Sequence, residues 1–131
     1  MARTTLSGVV TFHVDPVNGS DAYPGGPAAP WRTIQYAHDK LLRSYDCASF
    51  PPTVQLAAGV YDEDVVIATH LVGAHLMLIK GDPDAPGSVQ VRSVFATDYG
   101  CAVLQGLSLT HVDASQFGIL DVDRCEFRAY A

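Results

Sequence analysis

Leu104-Gln105-Gly106-Leu107-Ser108-Leu109 and Val122-Asp123-Arg124-Cys125-Glu126-Phe127 superimpose position for position at an offset of 18 residues. The apolar positions of the first segment (Leu104, Leu107, Leu109) meet Val122, Cys125 and Phe127 in the second. Short apolar runs of this kind are the mark of strands that bury one face. Recurrence at a fixed spacing points to a repeat whose units bury their apolar faces on one another. Similar runs stand between turn residues further back: Val54 and Leu56; Val65, Val66 and Ile67; Leu76, Leu78 and Ile79; Val89 and Val91. From Thr53 onward the pattern is β only. Stacked coils of such strands build a continuous apolar interior, and Asp, Gly, Ser and Pro supply the corners.

Before Thr53 the pattern changes. Val9 to Val14 reads as a strand, being rich in β-branched residues. Asp15-Pro16-Val17-Asn18-Gly19-Ser20-Asp21 and Tyr23-Pro24-Gly25-Gly26-Pro27, ending at Pro30-Trp31, hold too many prolines and glycines for a regular element. Thr33 then suits a helix N-cap, and Ile34, Ala37, Leu41 and Leu42 form one apolar stripe. That helix fades by Ser44 to Asp46 and cannot pass Pro51-Pro52. Its stripe is expected to cover the open end of the stack, where strand edges and core would otherwise be bare. The expected fold is therefore all-β, a parallel solenoid of about three to four coils with an N-terminal capping α-helix. Residues 1–52 supply strand, loop and capping helix of a single domain, and residues 53–131 supply the coils.

Composition agrees. The 131 residues include 12 Asp but 2 Glu, and 6 Arg but 2 Lys, for a net charge of -6. Asp favours turns, whereas Glu and Lys favour helix interiors, so the charge set speaks against a helical bundle. With a pI near 5.0 and no basic run, nucleic-acid binding is not expected. The N-terminus has no apolar run of signal-peptide length, and no stretch is long enough for a membrane span. Cys47, Cys101 and Cys125 are odd in number and far apart, which suits buried free thiols better than disulfides or zinc.

Several segments carry a resemblance. Val14-Asp15-Pro16-Val17-Asn18-Gly19-Ser20-Asp21, the helix start Pro30-Trp31-Arg32-Thr33-Ile34-Gln35 and Leu56-Ala57-Ala58-Gly59-Val60-Tyr61-Asp62-Glu63 form one pattern. It resembles the N-terminal cap and first coil of right-handed parallel β-helix proteins of the pectate-lyase-like superfamily. Gln105-Gly106-Leu107-Ser108-Leu109-Thr110 and Arg124-Cys125-Glu126-Phe127 resemble that superfamily's coil strands. The resemblance implies a right-handed, single-stranded β-helix. It also implies a choice of roles, since the superfamily holds polysaccharide lyases, hydrolases and epimerases alongside bacteriophage tailspikes and related virion proteins.

Candidate site residues follow, each beside a plainer explanation. Asp121 and Asp123 flank Val122; with Val122 inward, both carboxylates face outward beside Arg124 as a candidate acid–base pair for a glycan, or as a solvated strand edge. A lyase needs a base near the reacting proton, and Arg92, Lys80, Asp98 and Asp113 are the loose candidates, equally readable as scattered surface charge. Asp15, Asn18 and Asp21 are hard oxygen ligands, a candidate Ca²⁺ loop or a set of Asx-turns. The run Asp62-Glu63-Asp64 is a lesser candidate of the same kind. Trp31 and Tyr23, with Tyr36 nearby, offer faces for stacking on a sugar ring or for packing the cap. His13, His38, His70, His75 and His111 show no metal-binding spacing.

Two classes of function stand after this reading. One is a non-enzymatic structural or binding β-helix module of a virion or other extracellular appendage, tailspike- or fibre-like, with a bacterial surface glycan as ligand. The resemblance then implies a homotrimer or other virion subunits as partners. The other is a polysaccharide lyase or glycoside hydrolase acting on acidic or bacterial polysaccharide. It requires a groove where Asp, Arg or Ca²⁺ converge. Neither implies nucleic acid or membrane insertion, and no cofactor beyond Ca²⁺ is expected.

Overall fold

The computed structural model describes residues 4–8, 10–68, 71–73, 76–116 and 118–127. Its strands and helix in chain order are β1 (Thr4–Thr5), β2 (Thr11–Val14), α1 (Ile34–Ser44), β3 (Tyr45–Asp46), β4 (Thr53–Leu56), β5 (Gly59–Ile67) and β6 (Met77–Lys80). There follow β7 (Val89–Ala96), β8 (Cys101–Gln105), β9 (Ser108–Ala114), β10 (Ile119–Asp123) and β11 (Glu126–Phe127). All strand pairings are parallel. From β4 onward successive strands alternate between two sheets, ordered β2-β4-β6-β8-β10 and β5-β7-β9-β11. The small pair β1-β3 stands apart.

Register converts the apolar pattern into columns. Phe12, Val54, Ile79, Leu104 and Val122 occupy equivalent positions on the five strands of the first sheet. Tyr61, Val91, Leu109 and Phe127 do the same on the four strands of the second. Each column is buried until its last residue: Leu104 and Leu109 are fully enclosed, whereas Val122 is 37% and Phe127 57% exposed. Burying a side chain of this size stabilises by roughly 1.5–3 kcal/mol, so the interior columns hold the sheets together. One expected run mixed its faces. Of Leu76, Leu78 and Ile79 only Ile79 points into the core; its inward neighbour is Met77, and Leu78 lies half-buried in the outer column with Thr53 and Val103.

The repeat reaches further than the apolar residues reveal. Ala96-Thr97-Asp98-Tyr99-Gly100 aligns with Ala114-Ser115-Gln116-Phe117-Gly118 at the same offset. Asp98 and Gln116 share a left-handed backbone (φ 51 and 50), and the Gly100 and Gly118 amides each close a 2.8 Å turn on Thr97 and Ser115. The corner between the two sheets also repeats, with Gly106 at φ 68 and Arg124 at φ 48. Glycine is required at position 106, because a Cβ would stand 2.5 Å from the backbone of Asp82 and Pro83. Earlier coils are longer: 25 residues separate Gln55 from Lys80, and 30 separate Asp62 from Arg92. The extra residues fall in loops, including a single 3₁₀ turn at Pro86–Ser88, and leave the strand register intact.

At the other end the helix forms where the stripe predicts it. Thr33 Oγ1 accepts the Tyr36 amide as N-cap, and the extended backbone of Tyr45 ends the helix before the prolines. Ile34, Ala37, His38 and Leu41 are the buried face, His38 taking the place expected of Leu42, which is only partly buried. The helix packs on β2 and β5, the first strands of the two sheets. The expected N-terminal strand begins at Thr11; Val9 lies outside the described residues, as do His70, His75 and Arg128-Ala129-Tyr130-Ala131.

Candidate functional site

The polar residues of the cap do structural tasks first. Asp15 Oδ1 accepts the Val17 and Asn18 amides at 2.9 and 3.0 Å, and those bonds hold its carboxyl below the usual range. Asp21 accepts the Arg32 and Thr33 amides and the Thr33 hydroxyl at 3.0–3.1 Å, fixing the chain that enters α1. Asp15, Asn18 and Asp21 therefore serve two separate turns, and among the described residues no three His, Cys, Asp or Glu side chains converge as a metal site. Trp31 is fully buried, stacked on Phe12 at 5.2 Å and met edge-on by Tyr36 at 5.7 Å. Its faces are thus taken up by packing, so the sugar-stacking role expected of it has no surface to act on. Tyr23, 46% exposed, accepts the Trp31 indole N–H on its carbonyl at 2.7 Å.

Two side chains that no motif singled out close the free edge of β5. The Gln35 amide behaves as a strand neighbour: its Nε2 donates to the Val66 carbonyl (3.0 Å), and its Oε1 accepts the Val66 N–H (2.7 Å). Glu63 reaches the other way. Its two carboxylate oxygens accept the Ile34 and Gln35 amides of α1 at 2.9 and 3.0 Å. The free edge of β2 is covered in the same spirit by Gly25 and Trp31, which bond to the backbone of His13 and Asp15.

Beside Glu63 lies a cleft of about 240 Å³ lined by Pro16, Arg32, Thr33, Val60, Tyr61, Asp62 and Glu63. It is where charged and apolar side chains of cap and coil meet. Asp62 and Asp64 both pair with Arg92, the latter through two bonds at 2.9 and 3.2 Å, and the Arg92 bond holds the Asp64 carboxyl low. Burial pushes the Glu63 carboxyl up, against the pull of the two helix amides. A hydroxyl-bearing ligand finds acceptors, a guanidinium donor and an apolar floor there.

Glu63 gives a measurable expectation. Glu63→Ala leaves two helix amides without a protein acceptor and is expected to cost roughly 1–3 kcal/mol; Glu63→Gln, with one acceptor oxygen, falls between. A folded-state carboxyl raised above 4.5 means that the folded chain binds this proton more tightly than the unfolded one. Its contribution to stability therefore falls as pH rises from 4.5 through the raised value. Urea titrations over that window should show the wild type losing stability relative to Glu63→Gln. A pH-independent difference would mean that the carboxylate is not the titrating group.

Asp121 and Asp123 occupy one outward face of β10, as expected with Val122 in the inward column. Asp123 accepts the Gln105 amide at 2.8 Å, which, with Arg124 beside it at 3.4 Å, holds its carboxyl below the usual range. A general acid needs the opposite shift. Of the lyase candidates, Arg92 and Lys80 stand on different sheets, Asp98 occupies a left-handed corner, and Asp113 is exposed on β9. Cys47 is fully buried, and Cys101 and Cys125 are half-buried free thiols raised by that burial. His38 is buried against Asp39, and His111 lies against the Phe95 ring. Comparison with known proteins gives no family model, curated protein or solved structure that matches this chain.

Proposed function

We propose that the chain is a right-handed parallel β-helix module of the pectate-lyase-like kind, with a structural or binding rather than catalytic role. A tailspike- or fibre-like part in a virion or surface appendage suits it, with a homotrimer as the assembly the resemblance implies and a bacterial surface glycan as ligand. The observation that carries the reading is the strand order: consecutive strands feed two parallel sheets in alternation, in register, around one apolar interior. The charged residues support the non-enzymatic side. Each acid proposed for chemistry on β10 faces outward, and Asp123 is held in its ionised form by Gln105. Arg92, the strongest base candidate, is neutralised by two carboxylates.

One observation favours the enzymatic alternative, a glycan lyase or hydrolase. The cleft at Glu63 places a carboxyl of raised pKa beside Arg32 and Asp62, the kind of perturbation that acid–base catalysis uses. A single assay separates the readings. Purified chain incubated with a panel of acidic and neutral bacterial polysaccharides is expected to leave their viscosity and reducing-end count unchanged. Depolymerisation that disappears in Glu63→Gln, or in the double change Asp121→Asn and Asp123→Asn, would overturn the non-enzymatic role.

A further inference from the structure

The two ends of the sheets are finished differently. At the α1 end Gln35 pairs with β5, and Gly25 and Trp31 pair with β2, so neither edge offers free backbone to another chain at those positions. At the far end β10 pairs only with β8, and β11 only with β9, among the described residues. The interior columns surface there, with Ile119 60%, Val122 37% and Phe127 57% exposed. Unsatisfied strand edges beside apolar side chains are a pairing template.

Charge says what fits it. Asp121, Asp123 and Glu126 line this edge against the single cation Arg124 among the described residues. The rung beneath shows the matching chemistry: Gln105, one coil back in register, donates its side-chain amide to Asp123. A second copy is a poor occupant on two counts. Edge to edge, it sets β10 acids against the same acids, and like charges on opposed strands repel. Head to tail, it presents an α1 end whose edges are already taken.

We infer that the β10–β11 edge is a docking surface for a β-coil of another polypeptide segment, added in parallel. That coil places apolar side chains over Val122 and Phe127 and cationic or amide side chains over Asp121 and Asp123. The inference rests on the parallel β-helix reading and names the partner chemistry of its open end. Recognition is by strand addition, in which main-chain bonds supply affinity and alternate side chains supply choice.

The chain's own coil provides the probe. Two synthetic peptides span Thr110–Phe127 with Cys125→Ser; one keeps both acids, and the other carries Asp121→Lys and Asp123→Lys. Titrated against the full chain by fluorescence anisotropy, the lysine peptide is expected to bind about tenfold more tightly, since two opposed rungs change from repulsion to attraction. The gap should narrow as salt rises. Full chain carrying Asp121→Lys and Asp123→Lys, with its circular dichroism unchanged, should reverse the preference. Equal affinities, no binding by either peptide, or self-association that excludes both would overturn the inference. The polysaccharide assay reads the functional proposal separately: cleavage overturns that role and leaves the peptide preference in place, while loss of the preference leaves the assay unchanged.

Discussion

Trp31→Ala is expected to lower the free energy of unfolding by about 3–5 kcal/mol, a large part of the roughly 5–15 kcal/mol that holds a domain together. Trp31 is fully buried between Phe12 and Tyr36, with its ring stacked within 7° of the Phe12 plane. The opposite side of the cavity cannot collapse to fill the hole. Gly25, at φ +88, stands so near the indole that a Cβ there would lie 2.6 Å from it. Only backbone is on offer at that wall. The Trp31 N–H and carbonyl also bond to His13 and Asp15, so disorder in the cap exposes the edge of β2. Trp31→Phe keeps the stacking and loses the bond to the Tyr23 carbonyl, and should cost less than the alanine change. Urea unfolding monitored by circular dichroism measures both. A loss under about 1 kcal/mol for Trp31→Ala, the range of an ordinary surface change, would show that cap and sheets are not packed as one unit.

The same residue marks what sequence reading can reach. Trp31 beside a run of prolines and glycines looks like an exposed aromatic, because the segment that buries it, Phe12 on β2, is set by tertiary pairing rather than by neighbours. Local signals fared better where local physics decides. Thr33 as N-cap, the Ile34–Ala37–Leu41 stripe and the end of the helix before Pro51 all follow from turn-scale chemistry, and α1 runs as they require. The alternation of Val54 and Leu56, or of Val89 and Val91, also placed those side chains inward. Met77 was passed over because the run Leu76-His-free pattern around it is apolar on consecutive residues, where period two gives no phase. Glu63 and Gln35 were invisible for a different reason. Their partners lie 28 to 31 residues away, and nothing in an acidic run tells which acid turns toward a helix.

Coil length explains why only part of the repeat is legible. The last coils keep an 18-residue spacing, so their apolar positions superimpose. The first ones span 25 or 30 residues, and an alignment at one fixed offset cannot join them. Their strands nevertheless enter the same register, because each strand is placed by the column beneath it and the surplus residues are shed into loops. Sequence spacing is thus the weaker determinant here, and column packing the stronger.

That ranking can be tested along one column. Ile79→Ala and Leu104→Ala are each expected to cost about 2–5 kcal/mol, because each side chain is fully enclosed with a neighbour above and below it in register. Val122→Ala, at the same position on the last strand, should cost less than about 1 kcal/mol: the side chain is smaller, and 37% of Val122 already faces solvent. Thermal or urea unfolding of the three variants at low protein concentration gives the comparison. Because Leu104 contacts the column on both sides, its loss should weaken the hold on β10 as well as on β6. Hydrogen exchange at the Val122 and Asp123 amides should then rise in Leu104→Ala more than in Ile79→Ala. A cost at Val122 equal to that at Leu104 would mean that the end of the column is covered, and would contradict the open edge on which the docking surface depends.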